Sequence, residues 1–246
     1  MLMCSSSSQH SYSYIYRAPI PSPARIHNLQ RLDQLILSEG WDQHISLTHL
    51  PRDLEKMPNI KKLHIGSPRG DIIGVSITPA FASTLTHLSL KTIHVESKSP
   101  YEIVLRYGTN LRSLRVDGPL EQPSSQHFRR YSHALPHLTE FGVTHYSLQQ
   151  DADFFPAVCD FLRPKAGQLV HLELKSATNK YLPDRLGFKE CWDMFPSTTD
   201  PITVTVVSFP QLESLSITLL AGRKNLTLHY SNRIPPSVTS LSLSGS

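Results

Sequence analysis

One pattern recurs along the chain: an apolar residue, two mostly polar ones, an apolar residue, a polar one and a further apolar residue. It stands at Leu32/Leu35/Leu37, Ile60/Leu63/Ile65, Leu85/Leu88/Leu90 and Leu111/Leu114/Val116, and again at Leu138/Phe141/Val143, Leu169/Leu172/Leu174, Leu212/Leu215/Ile217 and Val238/Leu241/Leu243. The first members of successive triplets lie 28, 25, 26, 27, 31, 43 and 26 residues apart. A lone triplet is common in such a composition; the near-constant step carries the information. The last two apolar positions predict a short strand with one buried face, because side chains alternate across a strand. The apolar residue three places earlier closes the turn into it. Each unit then needs a return segment, and residues 48–56, 101–107 and 153–163 have the length and apolar content for one.

A step of 20–29 residues with L-x-x-L-x-L is the signature of leucine-rich repeats. No single unit can bury its own face, so neighbours must stack and share a core. The predicted fold class is therefore α/β: an irregular leucine-rich-repeat solenoid, a horseshoe with a parallel concave sheet and helices or turns on the convex side. About eight units fill residues 29–246. The regular Asn or Cys after the strand is absent, its place taken by residues such as Gly40, Pro68, Tyr146 and Leu220, so no asparagine ladder is expected. The 43-residue step implies an insertion within 176–208.

Charge narrows the partner classes. Of a net +4, residues 1–32 hold three, as Arg17, Arg25 and Arg31 without a single acid. A nucleic-acid binder concentrates basic charge on its folded surface, so this distribution argues against nucleic acid. Residues 1–28 are rich in Ser, Tyr and Pro and are expected to form a disordered tail. No apolar run approaches the roughly 20 residues of a membrane-spanning helix, and none forms the core of a secretory signal. Three cysteines, Cys4, Cys159 and Cys191, are too scattered for a disulfide framework or a zinc site and read as thiols of a reducing compartment, the cytoplasm or nucleus. No nucleophile elbow, phosphate loop, dinucleotide fingerprint or H-E-x-x-H motif is present. No cofactor, no metal and no enzymatic activity are expected.

The repeat form P-x-L-x-x-L-x-L, seen in MPNIKKLHI, LPHLTEFGV and FPQLESLSI, resembles the repeat region of fungal F-box/leucine-rich-repeat proteins, over residues 29–246. The resemblance implies a substrate-recognition module: in that family the F-box binds the Skp1 adaptor of a ubiquitin ligase, and the repeats capture the substrate. This chain shows no recognisable F-box, because its repeats begin near residue 29 and leave no room for a three-helix module. The scaffold role is the part expected to carry over. The alternative is a partial or degraded repeat protein without a dedicated partner.

A solenoid binds with its strand face. The outward positions are Lys62, His64 and Gly66; His87, Ser89 and Lys91; Ser113, Arg115 and Asp117; Glu140, Gly142 and Thr144; His171, Glu173 and Lys175; Ser214, Ser216 and Thr218. Lys62, His64, His87, Lys91 and Arg115 predict a mildly basic patch suited to an acidic or phosphorylated segment of a protein partner, with Arg115 as the forked donor. Glu140, Glu173 and Lys175 continue it as a mixed region. In the insertion, Phe188, Trp192, Met194 and Phe195 are more apolar than a solvated loop needs, and Trp192 is a candidate interface anchor. The last triplet is followed only by Ser244, Gly245 and Ser246, which predicts an open edge and self-association.

Overall fold

Alternation inside the triplets becomes strands, and the step between triplets becomes parallel pairing. The computed structural model describes residues 4–6, 12–16, 33–38, 59–66, 77–91, 100–118, 124–145, 151, 153–176, 191, 194–195, 209–219 and 233–245. They fall in two units, Met1–Glu121 with Ala134–His137, and Gln122–His133 with Leu138–Ser246. The first holds β1 (Cys4–Ser6), β2 (Tyr12–Tyr16), β3 (Gln34–Ser38), β4 (Lys62–Gly66), β5 (His87–Lys91) and β6 (Ser113–Gly118), with α1 (Pro79–Thr84) and α2 (Pro100–Tyr107) between strands. The second holds β7 (Glu140–His145), β8 (His171–Ser176), β9 (Ser214–Leu219) and β10 (Ser240–Gly245), with α3 (Ser124–Arg130), α4 (Phe154–Leu162) and a 3-10 helix at Arg163–Gln168. Strands β2 to β6 pair in parallel in the first unit, and β7 to β10 in the second.

The triplets supply the core. In register, Leu63, Leu88 and Leu114 form one buried row and Ile65, Leu90 and Val116 the next. Phe141, Leu172 and Leu215 repeat the first row in the second unit, and Val143, Leu174 and Ile217 the second. The leading residues Ile60, Leu85, Leu111, Leu138, Leu169 and Leu212 are also buried.

At each strand entrance the backbone bonds repeat. The Lys61 carbonyl accepts from the N–H groups of Thr86 (2.7 Å) and His87 (3.0 Å), and the Thr86 carbonyl from those of Arg112 and Ser113. Asp33, Thr139, Val170 and Glu213 do the same for the repeats that follow them.

The return segments at 101–107 and 153–163 are helical, in α2 and α4; that at 48–56 lies outside the described residues. Two further helices, α1 and α3, escaped the sequence reading. α1 starts at Thr78, whose hydroxyl accepts from the Phe81 N–H, with Pro79 in the first turn; that capping supports six residues too short for a visible periodicity. α2 ends at Gly108, where an added Cβ would stand 2.6 Å from the Val104 carbonyl oxygen. α4 is apolar almost all round and buries Phe154, Phe155, Ala157, Val158, Cys159, Phe161 and Leu162, as a core helix does. Phe128 of α3 meets Phe141, Phe154 and Phe161 edge-on, with ring centroids 5.3–6.3 Å apart.

The stretch 1–28, where composition predicts disorder, contains β1 and β2. β2 pairs in parallel with β3, Tyr14 opposite Leu35 and Tyr16 opposite Leu37. The sequence Tyr12-Ser13-Tyr14-Ile15-Tyr16 alternates with period two and is rich in strand formers, a local signal masked by the Ser and Pro around it.

The register yields a test. Leu114→Asp puts a charge in a buried row and should cost about 4 kcal/mol or more, which lowers Tm by on the order of 10 °C for a chain of this size. Arg115→Glu, on the opposite side of the strand, should move Tm by no more than about 2 °C. Thermal unfolding followed by circular dichroism checks both. The reverse ranking would mean a register wrong by one residue.

Candidate functional site

In the first unit the outward positions form three rows across β4, β5 and β6: Lys62–His87–Ser113, His64–Ser89–Arg115 and Gly66–Lys91–Asp117. Neighbouring strands stand about 4.8 Å apart, so Lys62, His64, His87, Lys91 and Arg115 come together on one face. Lys62, Lys91 and Arg115 are exposed, while His64 and His87 are half-buried. Burial pulls the pKa of His64 below its ordinary value; Asp117 pulls it up, and Lys91 and Arg115 push it further down. The imidazole leans along its own strand: a Cβ on Gly66 would sit 3.0 Å from its Nε2. Gly66, expected on the open face, is consequently buried. The Oδ1 atom of Asp117 is buried without a hydrogen bond among the described residues.

The second unit offers a different surface. Its rows read Glu140–His171–Ser214–Ser240 and Gly142–Glu173–Ser216–Ser242. Lys175 Nζ lies 2.5 Å from Glu173 Oε1, so these two charges largely cancel. Thr144, Thr218 and Gly142, expected to be open, are buried. Thr218 shows why: its Oγ1 accepts from the Ser176 N–H at 3.1 Å and lies 3.1 Å from Ser244 Oγ. These hydroxyls bridge the ends of β8, β9 and β10, a tie the sequence reading did not foresee once the asparagine ladder was missing. Trp192 lies outside the described residues, as does Phe188. Their neighbours Met194 and Phe195 are buried, and the Phe195 ring stacks on Phe209 at 5.1 Å.

Three buried groups had no signal in the sequence. Cys159 of α4 and Cys191 of the insertion, read as scattered thiols, stand with sulfurs 3.9 Å apart, the Cys159 thiol donating to the Cys191 sulfur and no disulfide joining them. Lys165 donates to the carbonyls of Phe161 (2.9 Å) and Ser132 (2.6 Å) and lies 3.8 Å from the Phe161 ring centroid; burial lowers its pKa to about 8. Its ammonium closes the end of α4 and ties it to the chain after α3. His145, 3% exposed, packs against Phe154 and Phe155 with an unpartnered Nδ1.

Among the described residues no group of three or more His, Cys, Asp or Glu side chains could share a metal ion. No described helix is long and apolar enough to cross a membrane. Compared with protein-family models and with curated proteins, the chain matches none. Each unit stands on its own geometry: the first presents a basic polar strand face, the second a mixed one.

His145 sets an acid limit on stability. Burial lowers its pKa from 6.5 to about 4, against the weaker opposite pull of Asp151. The unfolded chain takes up that proton near pH 6.5, whereas the folded chain holds it off until about 4. Stability therefore falls as pH drops through this window, by up to roughly 3 kcal/mol. Urea denaturation of the native chain and of His145→Phe at pH 7 and 4.5 should give a smaller acid loss in the variant. An equal loss would show that another group carries the acid limb.

Proposed function

We propose that the chain is a non-enzymatic leucine-rich-repeat scaffold, working in the cytoplasm or nucleus, that captures an acidic segment of a protein partner on its outward strand face. The reading extends the resemblance to F-box/leucine-rich-repeat substrate-recognition regions. The observation that carries it is the row geometry of β4 to β6, which gathers the exposed Lys62, Lys91 and Arg115 opposite a fully apolar side.

Affinity capture with the native chain and with the triple variant Lys62→Glu/Lys91→Glu/Arg115→Glu should recover a partner with the first and lose it with the second, at unchanged circular dichroism. A partner retained by the folded triple variant would move the contact away from this face. Direct recovery of a Skp1-type adaptor would add ligase recruitment to the scaffold role.

A second copy of the chain is a further partner. Leu241 and Leu243 of β10 are 43% and 42% exposed, although their register partners Leu215 and Ile217 are buried. Light scattering of the purified chain should show concentration-dependent association, reduced by Leu241→Ser/Leu243→Ser. A monodisperse monomer at high concentration would refute it.

A further inference from the structure

Away from the strand face, at the edge where the strands begin, the first unit contains a cavity of about 270 Å³ lined by Lys61, Thr84, Thr86, Asn110, Arg112 and His137. None of the six is acidic. Lys61, Thr86 and Arg112 hold the same position in three successive repeats, each one residue before its strand. The carbonyl bonds at the strand entrances fix their spacing, since Thr86 donates to Lys61 at 2.7 Å and Arg112 to Thr86 at 2.8 Å through the backbone. Lys61 and Arg112 thus flank Thr86, one strand away on either side.

The other walls are equally well held. Asn110 gives one amide hydrogen to the Ser83 carbonyl at 2.7 Å, and its amide carries a second. The Thr84 and Thr86 hydroxyls donate to the carbonyls of Phe81 and Lys61. His137 follows Leu135, the one non-glycine among the described residues with a positive φ, 55°. Leu135 is buried, and its Cδ2 lies 3.4 Å from where a Gly108 Cβ would be. A backbone so strained persists where packing over-determines it, and here it delivers His137 to the cavity.

We infer that this cavity is an anion site for a phosphomonoester, carried as a phosphorylated side chain of the captured partner. Arg112 supplies the forked donor and Lys61 the point charge. The volume lies just below that of drug-sized pockets, which suits a phosphorylated side chain. On the strand face, by contrast, Asp117 stands beside Lys91 in the same row, so a single dianion there would meet a carboxylate as well as a cation. The inference rests on the scaffold reading for the origin of the phosphate, but its chemistry is testable without a partner.

The experiment is calorimetric titration of the full chain with N-acetyl phosphoserine amide, N-acetyl serine amide and inorganic phosphate. The phosphoserine compound should bind, more weakly as salt rises, and its serine analogue should not. Lys61→Gln and Arg112→Gln should each weaken phosphoserine binding at least tenfold, while Arg106→Gln on α2 leaves it unchanged. No phosphoserine binding, or binding untouched by either variant, overturns the site. Binding of inorganic phosphate alone would mean a site for free anion and overturn the phosphorylated side chain. Phosphoserine binding in a chain that captures no protein would refute the scaffold reading and leave the anion site standing.

Discussion

A single backbone carbonyl at each strand entrance organises this protein. Asp33, Lys61, Thr86, Thr139, Val170 and Glu213 each lend one oxygen to two consecutive N–H groups of the following repeat. A carbonyl oxygen has two lone pairs, so the arrangement satisfies two donors at the point where the chain turns from loop to strand and the ladder has yet to begin. It also fixes register: once the two N–H groups are held, the next side chain inward is the middle member of the apolar triplet. Everything downstream follows from that, including which residues are buried and which face outward. The six lending residues are an acid, a cation, two threonines, a valine and a second acid. A bond made wholly by backbone leaves the side chain at that position free to vary, which is how Lys61, Thr86 and Arg112 come to line one cavity without weakening the repeat.

The buried half of the fold was legible because it obeys one rule at one period. Every described triplet from Ile60 to Ile217 is buried where the alternation says it should be. Polar surroundings make the rule easy to see, as with Lys61, Lys62 and His64 around Leu63. What the sequence hid were features held by few residues or by distant ones. α1 depends on a cap and a proline over six residues, and α3 on one large buried side chain, Phe128. β2 is a five-residue alternation inside a Ser- and Pro-rich context. The pairing of Cys159 with Cys191 spans 32 residues and an insertion, and no local pattern encodes such a contact.

The candidate face was legible in membership and less so in exposure. Alternation and register alike put Lys62, His64, His87, Lys91 and Arg115 on one side of the strands, since facing depends on parity alone. It could not tell which positions of that parity are covered. Thr144, Thr218, Gly66 and Gly142 share parity with the open positions yet are buried. Thr218 ties three strands there, its hydroxyl accepting from the Ser176 N–H and meeting the Ser244 hydroxyl.

The same entrance end separates two kinds of positive charge. On the strand face of each unit a cation stands beside a carboxylate, Lys91 beside Asp117 in the first and Lys175 on Glu173 in the second, so a ligand of either face would have to match both signs. Electrostatic complementarity of that kind selects among partners more than it tightens any one of them. At the edge cavity Lys61 and Arg112 are joined by no acid among the six described lining residues, and what matters there is the charge of one small group. A segment crossing from strand face to edge would meet specificity first and charge second. The repeat makes both surfaces from neighbouring positions of one turn: Lys61 lines the cavity, Lys62 begins the strand face, and Leu63 enters the core.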